Sequence, residues 1–200
     1  MKMSITAVLL LAAMLMLTGC PGKPVGDPAQ TLLDLRQAIR DGNGAAFAAC
    51  MTYDGEQAAL VMPLYEYSHG AYALAQAEAG AYADSPDYVA GHFVFLNPYA
   101  GLLAADESKI TSAIDGDSAT ATLPNGEVFH LALKDGRWKI LADKRAPAGD
   151  AIREAVAAQL GLAKVYVEFA GKAGGELTCE QFGSELLPAM DAAVAAALDK

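Results

Sequence analysis

The sequence predicts an α+β protein in which N-terminal helices pack on a curved, four-stranded antiparallel meander and a helical pair follows at the C-terminus. Three observations carry this reading. Apolar residues recur at helical spacing in Leu32, Leu35 and Ile39, in Leu60, Leu64, Tyr67, Ala71 and Leu74, and in Ile152, Val156, Leu160, Ala163 and Val167. The middle of the chain carries hairpin turn chemistry, Asp115-Gly116-Asp117-Ser118 and Asp135-Gly136. Around those turns apolar and polar side chains alternate, the period of a sheet with one buried face.

The first helix is expected from about Ala29 and stops at Asp41-Gly42-Asn43-Gly44, residues that favour a left-handed exit. A short helix over Ala45–Met51 follows. Asp54 with Gln57 three residues on has the form of a helix N-cap pair, opening a longer helix to about Ala79 with Pro63 as a kink. Ser85-Pro86 has the form of a further helix start, and the apolar stretch Gly91–Ala105 is broken by Asn97-Pro98.

For the strands, side-chain alternation decides the register. A three-residue loop, Pro124-Asn125-Gly126, sets Leu123 opposite Glu127 and puts Leu123, Phe129, Leu131 and Leu133 on one face. The Asp135-Gly136 turn adds Trp138 and Ile140, and the Gly116-Asp117 turn adds Ile110 and Ile114. A two-residue loop at Asn125-Gly126 would turn Leu123 away from Phe129, so the longer loop is favoured. In the last quarter, Ile152 to Val167 predicts a helix ending at Gly171, Gly174 and Gly175. Thr178 and Gln181 form a capping box before Phe182, Leu186, Met190, Val194 and Leu198.

The chain begins with one positive residue, Lys2, then an apolar run from Met3 to Leu17 closed by Thr18, Gly19 and Cys20. The run is shorter than the roughly 20 apolar residues a spanning helix needs. The pattern resembles bacterial lipoprotein signals, in which the cysteine is diacylated and becomes the first residue of the mature chain. The resemblance implies a signal peptide over 1–19, lipidation at Cys20 and a Pro/Gly tether over 20–28. An α+β domain would then occupy 29–145 and a helical extension 146–200. It also implies a location in the bacterial cell envelope, held on a membrane by lipid and facing the periplasm or exterior.

The net charge is −10, and Lys2 is the one charge in the signal segment. So acidic a chain repels nucleic acid and anionic headgroups, leaving the acyl chains as its membrane contact and excluding a nucleic-acid partner. Cys50 and Cys179 remain in an oxidising compartment, where they form either one disulfide or two buried thiols.

Two stretches together, Leu32 to Ala49 and Ile114 to Leu141 with its Asp135-Gly136-Arg137-Trp138-Lys139-Ile140 hairpin, resemble the nuclear transport factor 2-like superfamily and its small bacterial lipoproteins. That resemblance implies a curved sheet wrapped around N-terminal helices as a cone. It carries over no catalytic residue.

Seven of the eight tyrosines lie between Tyr53 and Tyr99, side chains suited to lining a pocket or interface. Among them Tyr65, His69 and Tyr72 sit at helical spacing with Glu66 beside them, which makes these three the candidate pocket and His69 or an acid (Glu66, Asp84, Asp87) the candidate base. His130 alternates outward, and His92 has no evident partner. The histidines are too scattered for zinc, and neither a metal nor a cofactor is expected. The reading favoured is a non-enzymatic module binding a protein or a small apolar ligand. The alternatives are a ketosteroid-isomerase-like enzyme acting on a small apolar ligand, and an assembly lipoprotein docking through its C-terminal helices.

Overall fold

The structure is a computed structural model describing residues 26–86, 88, 96–141 and 147–199. The lipobox, the tether before Gly26, Asp87 and His92 lie outside the described residues. Helix α1 (Pro28–Arg40) starts where the Asp27 carboxylate accepts a hydrogen bond from the Ala29 N–H at 2.9 Å and proline occupies the first turn. It ends as Gly42 turns left-handed at φ +66°. Asn43 caps α2 (Gly44–Cys50) by accepting from the Ala46 N–H at 3.0 Å.

Asp54 leads into a 3-10 helix over Gly55–Leu60 without a side-chain cap, so the long helix α3 begins only at Val61 and runs to Tyr82. Pro63 therefore falls in the first turn, where its missing N–H costs nothing, and the expected kink has no cause. Helix α4 (Ala100–Ala104) and a 3-10 turn (Glu107–Lys109) lead to the strands β2 (Thr111–Asp115), β3 (Ser118–Thr122), β4 (Val128–Lys134) and β5 (Arg137–Leu141).

The meander has the register that alternation predicts. Gly116 alone is left-handed in the first turn, as a type II′ hairpin requires, and Asp135 and Gly136 are both left-handed in the last. Leu123 donates to the Glu127 carbonyl at 2.9 Å across the three-residue loop. The sheet itself is five-stranded and mixed, which corrects the four-stranded antiparallel expectation. Met51 and Thr52 form a short strand, β1, parallel to β5 in the order β1-β5-β4-β3-β2. Two residues are too few to show a periodicity, and only the folded chain brings them beside Ile140 and Leu141.

The buried apolar residues fall into two clusters. In the first, Leu32, Leu35 and Ile39 of α1 and Phe47 of α2 pack on Ala121, Leu123, Leu131, Trp138 and Ile140 of the sheet. Arg36, itself buried, donates to the Ala105 carbonyl at 3.0 Å and pairs with Glu107, tying α1 to the approach to β2. In the second, Ala71, Leu74 and Tyr82 of α3 pack with Tyr166 and Phe169 of α5 (Asp150–Lys172) and Phe182 and Leu186 of α6 (Cys179–Leu198). The C-terminal pair is thus a hairpin docked on α3, its second helix opened by the capping box of Thr178 and Gln181.

Candidate functional site

Helices α3 and α5 run parallel. The Gln57 side chain, just before α3, donates to the Pro147 carbonyl ahead of α5, Gly70 meets Ala163 and Tyr166, and Ala81 meets Gly174. Gly70 marks a close approach of the two helices, since a Cβ there would stand 3.4 Å from the Ala163 carbonyl oxygen and the Tyr166 Cβ. Beside that contact a groove of about 520 Å³ opens. Each helix lines it with residues at the same spacing: Tyr65, Glu66, His69 and Gly70 from α3, and Ala163, Lys164, Val167 and Glu168 from α5. Residues one and four positions apart share one helical stripe, so two such stripes form the walls.

The structure places Tyr65 and His69 in this groove and leaves Tyr72 out of it, half-buried against the first core. The two rings stack nearly parallel, 4° apart in plane with centroids 5.9 Å apart, and Tyr65 leans on Phe47 at 5.6 Å. Burial and the adjacent Glu66 carboxylate push the Tyr65 phenol above its usual range, and a backbone hydrogen bond from Gly44 works against both.

His69 is anchored rather than free. Its Nδ1 lies 2.8 Å from the Ile39 carbonyl oxygen, which also accepts from the Gly42 N–H at 3.4 Å, so Nδ1 carries the proton and donates. The rest of the ring lies under Gly42, where a Cβ would stand 3.1 Å from Cε1 and from Nε2. The imidazole thus closes the α1 terminus, and Glu66 is exposed.

Of the remaining charges, the Lys172 ammonium holds Glu168 at 2.6 Å. Lys164 makes no ion pair among the described residues. The groove therefore presents an apolar floor of Tyr65, Ala163 and Val167, with Lys164 and Glu66 at its rim unpaired among the described residues and Glu168 paired to Lys172.

Cys50 and Cys179 are both free thiols in the structure. The reason is their placement: Cys50 is buried in the first core and Cys179 packs against the second. Burial, and then the charge of Asp34, push the Cys50 thiol up to about 11, so it stays protonated and inert at neutral pH. Asp84 is exposed just past α3, and His130 is exposed on the outer face of the sheet as alternation predicts. Among the described residues no three His, Cys, Asp or Glu side chains gather as metal ligands, and no helix is long and apolar enough to cross a membrane.

Sequence reasoning missed the α5 wall. Val167 belongs to the apolar stripe that alternation of helical turns assigns to the core, yet it is 62% exposed and faces the groove. Sequence reasoning also missed Tyr166, whose fully buried ring packs on Tyr67 at 5.6 Å. Compared with protein-family models, with curated proteins and with solved structures, the chain gave no match.

Proposed function

We propose that this chain is a lipid-anchored protein of the bacterial envelope, built on a nuclear transport factor 2-like cone, that binds a small, mostly apolar ligand in the groove between α3 and α5. The groove itself carries this reading: at about 520 Å³ it is of the size that holds drug-sized molecules, and its floor is apolar with few polar groups. Lys164, unpaired among the described residues, favours a ligand bearing an acidic or hydrogen-bond-accepting group. Lipidation at Cys20, supported by the Leu17-Thr18-Gly19-Cys20 sequence, would hold this site near the membrane on the Pro/Gly tether.

Anilinonaphthalene sulfonate, an apolar fluorophore with one anionic group, probes the site. The full chain is expected to enhance its fluorescence saturably. Val167→Asp and Lys164→Glu, both at exposed positions, are each expected to weaken binding by about tenfold, the loss of one apolar or charge-assisted contact. Binding indifferent to both substitutions excludes the groove as the site. Mass spectrometry of the mature N-terminus checks the anchor separately, and an unmodified Cys20 overturns it.

A further inference from the structure

We propose that the outer edge of β2 is the contact through which two copies of this chain associate, their β2 strands pairing antiparallel around Ser112. Natural sheets blunt their edges with very short strands, lysine, proline or bulges. The β1 edge follows that rule, being two residues long. The β2 edge does not: Thr111–Asp115 contains no proline and no basic residue, all five positions are exposed, and no described element pairs with its outer side.

The hydrogen-bonding groups on that edge follow from the hairpin. Asp115 and Ser118 flank the two-residue turn, so Asp115 turns its backbone N–H and C=O towards β3, and alternation does the same for Ala113 and Thr111. Ser112 and Ile114 then present theirs outward, and Ile110, extended at φ −73° and ψ 126°, offers only its C=O, because its N–H donates to the Glu107 carbonyl at 3.2 Å.

Pairing two such edges around Ser112 is self-complementary. Ile110 of one copy falls opposite Ile114 of the other, twice, and Ser112 meets Ser112. On the other face Thr111 meets Ala113. The two Ser112 residues exchange both bonds across the two-fold and each Ile114 N–H reaches an Ile110 carbonyl, while the Ile110 N–H stays with Glu107. The register also gives Ile114, 53% exposed on the face that carries Ala119 and Leu131, the apolar neighbour it lacks within its own copy. The product is one ten-stranded sheet, within the range that open twisted sheets reach.

Two terms limit its strength. Each copy carries a charge of −10, and Asp27, which accepts from the Ser112 hydroxyl at 2.7 Å, brings a carboxylate close to the two-fold. The edge is also short against the roughly 800 Å² per partner of a stable interface, so the dimer dissociates on dilution.

Cysteine crosslinking of the full chain in expressing cells, with an added oxidant, tests the register. Opposed residues of a hydrogen-bonded pair stand about 5.5 Å apart at Cα, within disulfide reach. Ser112→Cys is therefore expected to give at least about fivefold more crosslinked dimer than the unchanged chain or Ala113→Cys, whose side chain lies on the other face. Equal crosslinking by the two variants, or none, overturns the proposal. So does capture of a different protein by the Ser112→Cys variant with no homodimer, which assigns the edge to another partner. Sedimentation of the purified full chain at physiological ionic strength gives a second readout. A monomer–dimer equilibrium in roughly the micromolar range is expected, weakened at least about tenfold by Ile114→Lys with an unchanged circular dichroism spectrum. A strict monomer, or a dimer indifferent to Ile114→Lys, is the contrary result.

Discussion

At the scale of single residues, the buried polar groups show what each side chain contributes. His69 and Asn97 both serve backbone. His69 donates to Ile39 at the end of α1, and Asn97 donates to the Ser68 carbonyl at 2.7 Å while accepting from the Tyr99 N–H. Each adds a second donor to a carbonyl that also accepts a backbone N–H, Ile39 from Gly42 and Ser68 within α3, and so ties two segments together by about 0.5–1.5 kcal/mol. Glu78 is different. It is 4% exposed on α3 and makes no hydrogen bond or ion pair among the described residues. Burial alone pushes its carboxyl from 4.5 to about 7. A raised carboxyl value means that the folded chain holds a proton the unfolded chain has already lost. This contribution is therefore full below about pH 4.5 and disappears as the pH rises towards 7. Urea unfolding should show stability falling by about 1–3 kcal/mol across that window, and Glu78→Gln should remove this component of the slope. A slope that Glu78→Gln leaves unchanged would place the titration elsewhere.

At the scale of elements, the contact between α3 and α5 decides whether the groove exists. Gly70 sets the spacing, and Gly161 does the same for α5 and α6, where a Cβ would stand 3.3 Å from the Ala193 carbonyl oxygen. Gly70→Ala should be tolerated, because a methyl 3.4 Å from its neighbours is ordinary contact and alanine favours a helix. Gly70→Leu should cost about 1–3 kcal/mol by overpacking and weaken fluorophore binding, since the helices must part. Thermal unfolding and titration of the two variants check both statements. The turns were legible in the sequence because their chemistry is local: Gly116, Asp135 and Gly136 occupy the left-handed conformations that type II′ and I′ turns demand. The capping box of Thr178 and Gln181 was legible for the same reason. The start of α3 was not. Asp54 and Gln57 match the pattern of a cap, yet the chain there forms a 3-10 helix, and Gln57 reaches across to Pro147. A contact 90 residues away in sequence outweighs a local preference.

At the scale of the whole molecule, α3 is shared between two cores. One face supports the α1–sheet core through Leu64 and Tyr65, and another buries Ala71, Leu74 and Tyr82 against α5 and α6. A chain truncated after residue 145 would expose that second face. It should lose cooperative unfolding and bind hydrophobic dye nonspecifically, as seen by near-UV circular dichroism and fluorescence. A truncated chain with a sharp transition would show instead that the first core stands alone.

The sequence by itself determined the α+β class, the helix ends with polar caps, the meander with its turn types, and the face that each strand residue presents. These depend on backbone conformation and side-chain alternation, which act over a few residues. Tertiary structure decided the rest. It added the parallel strand Met51–Thr52, kept Cys50 and Cys179 in separate cores, and turned His69 towards the end of α1. It also built the groove by setting a stripe of α5 beside a stripe of α3, nearly a hundred positions apart in the chain. No local pattern encodes which stripes meet, because that depends on how two cores share one helix.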